Sequence, residues 1–315
     1  MLHTILGAGG PVSNVLAQEL CQLNIPVRLV SRRRIESTGQ AQWIGADLKD
    51  YQQVLQAVQG STVIYMCAGL RYDKKVWAAE WPRIMQNLID ATQATNARLI
   101  FFDNVYMYGR VPGPMTEDTP YNPSSVKGEI RARIAEKLMQ EVKAGNLQAT
   151  IARAADFYGA ESLNSFYDSM VLAKYAQKSK ALWLGNPDTK HTFTYVPDAG
   201  KAMALLGQHP EADNQIWHLP SAPALTGREF LQLAATIFNT SPTFMPVNKI
   251  MLQALGLLTK AIGETAELYY QYQYDYLFSS EKFERAFKVA PTAYAEGVRQ
   301  LSQTLFRPGK VLLNN

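Results

Sequence analysis

Apolar residues fall in short runs along the first half of this chain, and amphipathic stretches separate them. The runs Leu2–Leu6, Val27–Ser31, Gln42–Ile44, Val63–Cys67, Leu99–Phe102 and Thr150–Ala152 are predicted to be strands. Apolar positions at helical spacing predict helices over Val12–Leu23, Tyr51–Val58, Trp77–Thr95 and Ser125–Ala144. Apolar strands alternating with amphipathic helices indicate a parallel sheet covered on both faces. Crossovers of this kind are right-handed, so the expected fold class is α/β with a doubly wound, Rossmann-type sheet.

The first strand meets Gly7-Ala8-Gly9-Gly10-Pro11 and then a helix start. This order sets backbone N–H groups and the positive end of a helix dipole where a pyrophosphate can sit. Ser13 holds the third small position, where Gly or Ala is usual. Gly7, Gly9 and Gly10 are therefore candidate contacts to a dinucleotide.

Beyond Ala152 the alternation stops. Loop chemistry appears at Asn186-Pro187-Asp188, His209-Pro210 and Pro220–Pro223, and helices are predicted over Arg228–Phe238 and Asn248–Leu258. The expected division is a dinucleotide-binding domain over 1–152 and, over 153–315, mainly a smaller, irregular substrate-binding lobe. Some elements of that lobe should return to pack on the sheet. Ligands in such folds sit at the carboxyl ends of the strands, so the lobe is expected to close over that edge.

The second strand ends in Ser31-Arg32-Arg33-Arg34, with no carboxylate to accept from a ribose 2′-OH. Guanidinium groups there can fork onto a 2′-phosphate, so NADP is expected over NAD, with Ser31 and Arg32 as contacts. The bland alternative is that the arginines form a solvated loop. Asp47 can accept from an adenine amino group and Leu48 can cover the ring. Cys67, Ala68 and Gly69 close the fourth strand with small residues that let backbone approach a cofactor.

The chain has 315 residues, 47% of them apolar and 18% charged, as suits a globular protein with a sizeable core. Its net charge of +4 is too mild, and its cations too scattered, to suggest a nucleic-acid partner. Cys21 and Cys67 lie in segments that read as buried, which suggests structural thiols in a reducing, cytoplasmic setting. Glycines interrupt the N-terminal apolar run, so no signal peptide is expected, and Ile250–Ile262 is too short to span a bilayer. The four histidines, His3, His191, His209 and His218, lack ligand spacing, so no metal is expected. The run Tyr269–Tyr276 reads as lobe packing or a subunit surface, or as a stacking face for a planar ligand.

Several pieces together resemble the extended branch of the short-chain dehydrogenase/reductase superfamily, the epimerase/dehydratase-like proteins. They are Gly7-x-x-Gly10, Val105-Tyr106-Met107-Tyr108-Gly109, Arg153-Ala-Ala-Asp-Phe-Tyr158-Gly159, His191-Thr-Phe-Thr-Tyr-Val-Pro-Asp198 and Phe283-Glu-Arg-Ala-Phe287. The resemblance implies hydride transfer between a nicotinamide and a carbonyl, enone or sugar-type substrate. It also implies a homodimer through the helices at Trp77–Thr95 and Ser125–Ala144, although Ile84, Leu88, Ile134 and Leu138 could equally face only the sheet.

The family pairs a Tyr with a Lys one turn later. The Tyr moves the proton, and the Lys holds ribose and lowers the Tyr pKa. This chain departs from that pattern. Anchored on Pro123 and Gly128, Lys127 takes the Tyr place and Arg131 the Lys place. A second register puts Lys127 at the Lys place and Pro123 at the Tyr place. Asn104, beside Asp103, stands where the family has a catalytic hydroxyl. The candidate catalytic set is thus Lys127, Asn104, Arg131 and Tyr158, with Arg131 also toward ribose. Lys127 could instead only pair with Glu117, Asp118 or a phosphate. Tyr121 is a further substitute phenol, and Tyr108 reads as packing below the site. The losses leave a rival function open: a non-catalytic NADP-binding redox sensor or regulatory protein.

Overall fold

A computed structural model describes residues 1–36, 39–159, 165–258 and 260–306. Contacts divide them into two compact units. The first comprises 1–109, 120–154 and 199–219, and the second comprises 110–119, 155–198 and 220 onward.

The first unit holds a seven-stranded, wholly parallel sheet. Its strands include β1 (Leu2–Leu6), β2 (Val27–Ser31), β3 (Gln42–Gly45), β4 (Ser61–Met66) and β5 (Arg98–Asp103). From one edge the order is Ile216–His218, Gln148–Arg153, β5, β4, β1, β2, β3. The order reverses between β1 and β4, the switch point at which doubly wound sheets open a crevice at the strand ends.

The helices of this unit include α1 (Pro11–Gln22), α2 (Tyr51–Val58), α3 (Lys74–Thr95) and α4 (Val126–Lys143). The predicted β1, β2 and α2 are found with the same bounds. The third helix starts three residues before its apolar pattern does, because the Asp73 carboxylate accepts from the Lys75 N–H at 2.9 Å and caps it. Ser125 caps α4 in the same way, accepting from the Gly128 N–H at 3.0 Å.

One core lies between the sheet and α2, α3 and α4, and it includes Val54, Trp81, Met85, Phe101 and Ala135. Ile84, Leu88, Ile134 and Leu138 are buried in this core. The returning segment is locked by Arg98, whose guanidinium forks onto Asp213 at 2.5 and 2.8 Å and donates to the Gly207 carbonyl at 2.8 Å. On this segment Gly200 leaves room for Val15 of α1, since a Cβ there would lie 2.5 Å from that side chain.

The second unit has an aromatic core of Tyr158, Tyr167, Trp183, Phe193, Tyr195, Phe230 and Tyr294. Two-residue to four-residue strand pairs frame it, including Phe193–Tyr195 beside Asp156–Tyr158 and Phe244–Val247 beside Ala181–Leu184. The predicted late helices appear as Gly227–Ile237 and Lys249–Leu258. Within the Ile250–Ile262 run, residue 259 lies outside the described residues, and Lys260–Thr265 is assigned as a second helix. No described helix is long and apolar enough to cross a membrane.

Candidate functional site

The glycine turn after β1 is shaped by a close backbone approach. Gly7 has φ +82°, and a Cβ on it would lie 2.2 Å from the Cα of Ala68. Only glycine fits both the conformation and the space. The N–H groups of Gly7 and Ala8 both donate to the Val30 carbonyl, at 2.9 and 3.0 Å, which ties the turn to the end of β2. The Cys67 N–H donates to Leu6 at 2.8 Å, which ties it to the end of β4. Gly7, Ala68 and Cys67 are thereby gathered at the switch point. Gly9 has φ +97° and faces Ile35, while Gly10 caps α1 in an extended conformation. Pro11 at the first helical position has no N–H to leave unpaired. The N–H groups of Val12 and Ser13 have no carbonyl four residues back inside the helix, which is the arrangement an anion fits. Gly69 is exposed, with nothing within 4 Å of where its Cβ would be. A glycine cradle with open space beside it fits a dinucleotide pyrophosphate.

Both cysteines read as buried from sequence, and the structure leaves both half-buried. Cys21 lies beside Gly39, and Cys67 ends at the rim of the cradle. Burial still pushes the Cys67 thiol up to about 12, which makes it a poor nucleophile.

At the end of β2 the Ser31 hydroxyl donates to the Arg33 carbonyl at 2.6 Å and accepts from the Trp43 indole N–H at 2.9 Å. It braces its own loop. Arg32, Arg33 and Arg34 are exposed, and among the described residues they form no ion pair. After β3 the Asp47 carboxylate accepts from the Lys49 N–H at 3.0 Å, and Lys49 Nζ lies 3.8 Å away. Leu48 packs on the core, and its carbonyl accepts from Asn87 at 3.0 Å.

The polar centre of the first unit is Asp103, at the last position of β5 and with its side chain fully buried. Its Oδ1 accepts from Arg131 Nε at 2.6 Å and from the Asn104 N–H at 2.8 Å, and Arg131 Nη2 also reaches it. Its Oδ2 lies 3.6 Å from Nε of Arg153, which is itself fully buried. Arg153 donates to the Tyr108 oxygen at 2.7 Å and to the Tyr121 oxygen, and Tyr108 meets His218 Nε2 at 2.8 Å. Two buried cations thus share one carboxylate, and both Nη groups of Arg153 donate to phenols. Burial raises the Tyr121 pKa against the lowering pull of Arg153, so the phenol stays neutral near pH 7.

Asn104 is oriented by its neighbour: its side-chain oxygen accepts from the Tyr106 N–H at 3.1 Å. Its amide NH2 makes no hydrogen bond among the described residues. Lys127 and Arg131 share a face of α4, one turn apart. Lys127 is fully buried, with Nζ 4.4 Å from the centre of the Tyr72 ring. Arg131 stacks on Trp81, its Cζ 4.5 Å from the ring centre. The fourth candidate is elsewhere. Tyr158 is fully buried in the aromatic core of the second unit, stacked on Tyr195 at 4.9 Å. A Cβ on Gly297 would lie 2.5 Å from its hydroxyl oxygen, so the phenol is covered by chain.

Residues 3–219, over two thirds of the chain, match the NAD dependent epimerase/dehydratase family. The chain belongs to that family. Among curated relatives, an uncharacterised protein of Sinorhizobium fredii, y4nL, is 24% identical over 205 residues, 61% of this chain and 56% of that protein. A 3beta-hydroxysteroid-dehydrogenase/decarboxylase isoform of Arabidopsis thaliana is 28% identical over 182 residues, 52% of this chain and 30% of that protein. The chain therefore spans about half of one relative and less than a third of the other. Among solved structures, UDP-glucose 4-epimerase of Thermus thermophilus in complex with NAD superposes with a TM-score of 0.79. That alignment covers 98% of this chain and all of that one at 16% identity, a likeness of fold alone. Within the family's fold, the buried Asp103–Arg131–Arg153 cluster and the Trp43–Ser31 contact escaped sequence reading. Their members lie 12 to 50 positions apart, and only the strand-end placement of Asp103 points to a role.

Proposed function

We propose that this chain is an NAD(P)-binding oxidoreductase or epimerase-like enzyme, with NADP preferred, that acts on a carbonyl, enone or sugar-type substrate. The observation that carries the reading is the Gly7–Ala68 approach at the switch point, a cradle that any side chain would fill. Gly7, Gly9, Gly10, Cys67, Ala68 and Gly69 would line the pyrophosphate side, Asp47 and Leu48 the adenine, and Arg32 the 2′-phosphate. Bound there, the nicotinamide gives or takes the hydride.

The protein's own part is orientation and charge. Asn104, its oxygen held by Tyr106, directs its NH2 at a substrate oxygen and steadies negative charge as it develops there. Arg131 is held by Asp103 and offers its remaining Nη1 to ribose hydroxyls. Lys127, one turn before it, supplies a positive field under the reacting oxygen and stands where the family's proton donor stands. Tyr158 is left out of the set, because its hydroxyl is enclosed by the second unit's core. The neutral phenol of Tyr121 takes its place as the available hydroxyl.

A second reading, a non-catalytic NADP-binding sensor, is favoured by one observation: both cations at the family's acid–base positions are buried. Titration with NADPH followed by a carbonyl panel separates the two. The enzyme reading expects loss of nicotinamide absorbance with at least one carbonyl, and a Lys127→Met variant that binds NADPH but turns over at least tenfold more slowly. NADPH binding without oxidation across the panel would favour the sensor. Absence of NADPH binding would refute both.

A further inference from the structure

The end of β2 carries more than three arginines. In the β2–β3 register Leu29 faces Trp43 and Ser31 faces Gly45, so Trp43 and Ser31 lie diagonally on one side of the sheet. Gly45 makes the diagonal contact possible. A Cβ there would come within 3.1 Å of Trp43 Cη2 and 3.4 Å of Cζ2, so the indole lies across the bare backbone. The indole N–H then reaches Ser31 Oγ at 2.9 Å, and the hydroxyl, with that lone pair filled, donates to the Arg33 carbonyl at 2.6 Å. The Ala46 N–H donates to the Ser31 carbonyl at 3.3 Å. The chain is thus pinned on both sides of Arg32, at Ser31 and at Arg33.

We infer that Trp43 is a positioning residue for cofactor choice: through Ser31 it pre-forms the loop that presents Arg32 to a 2′-phosphate. The inference rests on the NADP reading above. An Arg on an unbraced loop must lose its freedom on binding; on a braced loop that ordering is already done. Ser31 acts as the brace and not as a direct ligand, because its single proton is held by Arg33. NADH, which has no 2′-phosphate, gains nothing from the brace.

The test is the ratio of NADH to NADPH dissociation constants for the wild type, Trp43→Phe, Ser31→Ala and the double variant. Trp43→Phe keeps an aromatic side chain and removes the N–H, so the ratio should fall about fivefold, the worth of one neutral hydrogen bond, with NADH affinity unchanged. Ser31→Ala should lower the ratio equally, and the double variant no further, since both break one relay. Gly45→Val, which pushes the ring aside without backbone strain, should reproduce the loss. An unchanged ratio in Trp43→Phe, or equal weakening toward both cofactors, would overturn the brace while leaving NADP preference standing. Additive losses in the double variant would make Ser31 a direct ligand and overturn it as well. A wild type that does not distinguish the cofactors would remove the NADP reading and the inference together.

Discussion

Asp103→Asn should be the most damaging conservative change in the first unit. The substitution keeps the shape and one acceptor oxygen but removes the carboxylate that Arg131 and Arg153 share among the described residues. Arg131 is 4% exposed and Arg153 is fully buried, so water cannot replace the lost charge. Removing one partner of a buried ion pair costs about 3–5 kcal/mol, because the other charge stays buried and uncompensated. For a unit of this size, each kcal/mol lowers Tm by about 2–4 °C, so a drop of about 6–20 °C is expected in a melt followed by circular dichroism. A second variant checks the cause. Adding Arg131→Met to Asp103→Asn removes one of the stranded cations and should restore part of the loss. A shift below about 2 °C, or a double variant less stable than the single, would refute the argument. The first result would mean that the phenols of Tyr108 and Tyr121, and not Asp103, hold the Arg153 charge.

Two further outcomes follow from the first unit. Gly7→Ala combines a left-handed backbone with a Cβ 2.2 Å from Ala68, so it should cost about 2–5 kcal/mol in a denaturant titration, whereas Gly69→Ala meets open space and should leave stability unchanged while weakening NADPH binding. The pKa of His3 is lowered to about 4 by burial and, to a smaller extent, by Arg98 and the N-terminus. The folded state therefore favours the neutral ring: the contribution is complete above pH 6.5 and is lost as pH falls from there toward 4. The loss, up to about 3 kcal/mol, should disappear from the pH–stability profile of His3→Gln; an unchanged slope between pH 4 and 6.5 would contradict it.

The sheet and the glycine turn were legible because their signals are local. An apolar run, a glycine cluster and an amphipathic stretch adjoin within Leu2–Leu23, and β1 and β2 appear with their predicted bounds. The apolar pattern puts the start of α3 too late, because that start is set by the Asp73 carboxylate and not by an apolar residue. The strand Ile216–His218 leaves no local signal: three residues carry no period, and its partner Gln148–Arg153 lies more than 60 positions back. The candidate site divides in the same way. Asn104, Lys127 and Arg131 could be named from a short motif, but their state depends on distant groups, Arg131 on Asp103 and Lys127 on Tyr72. Tyr158 enters the candidate set through its motif alone. Its actual neighbours, Tyr195, Phe230 and Tyr294, come from three later segments and enclose it.

The return of residues 199–219 to the first unit has a consequence for synthesis. While the ribosome has made only the first 154 residues, Gln148–Arg153 is an open edge, and its row of unpaired backbone groups invites pairing with another chain. Closure waits until Ile216–His218 emerges, and only then can His218 meet Tyr108 and Arg98 fork onto Asp213. The nascent sheet is therefore unprotected for about 60 residues of elongation, several seconds at ordinary translation rates, and chaperone demand should concentrate in that interval.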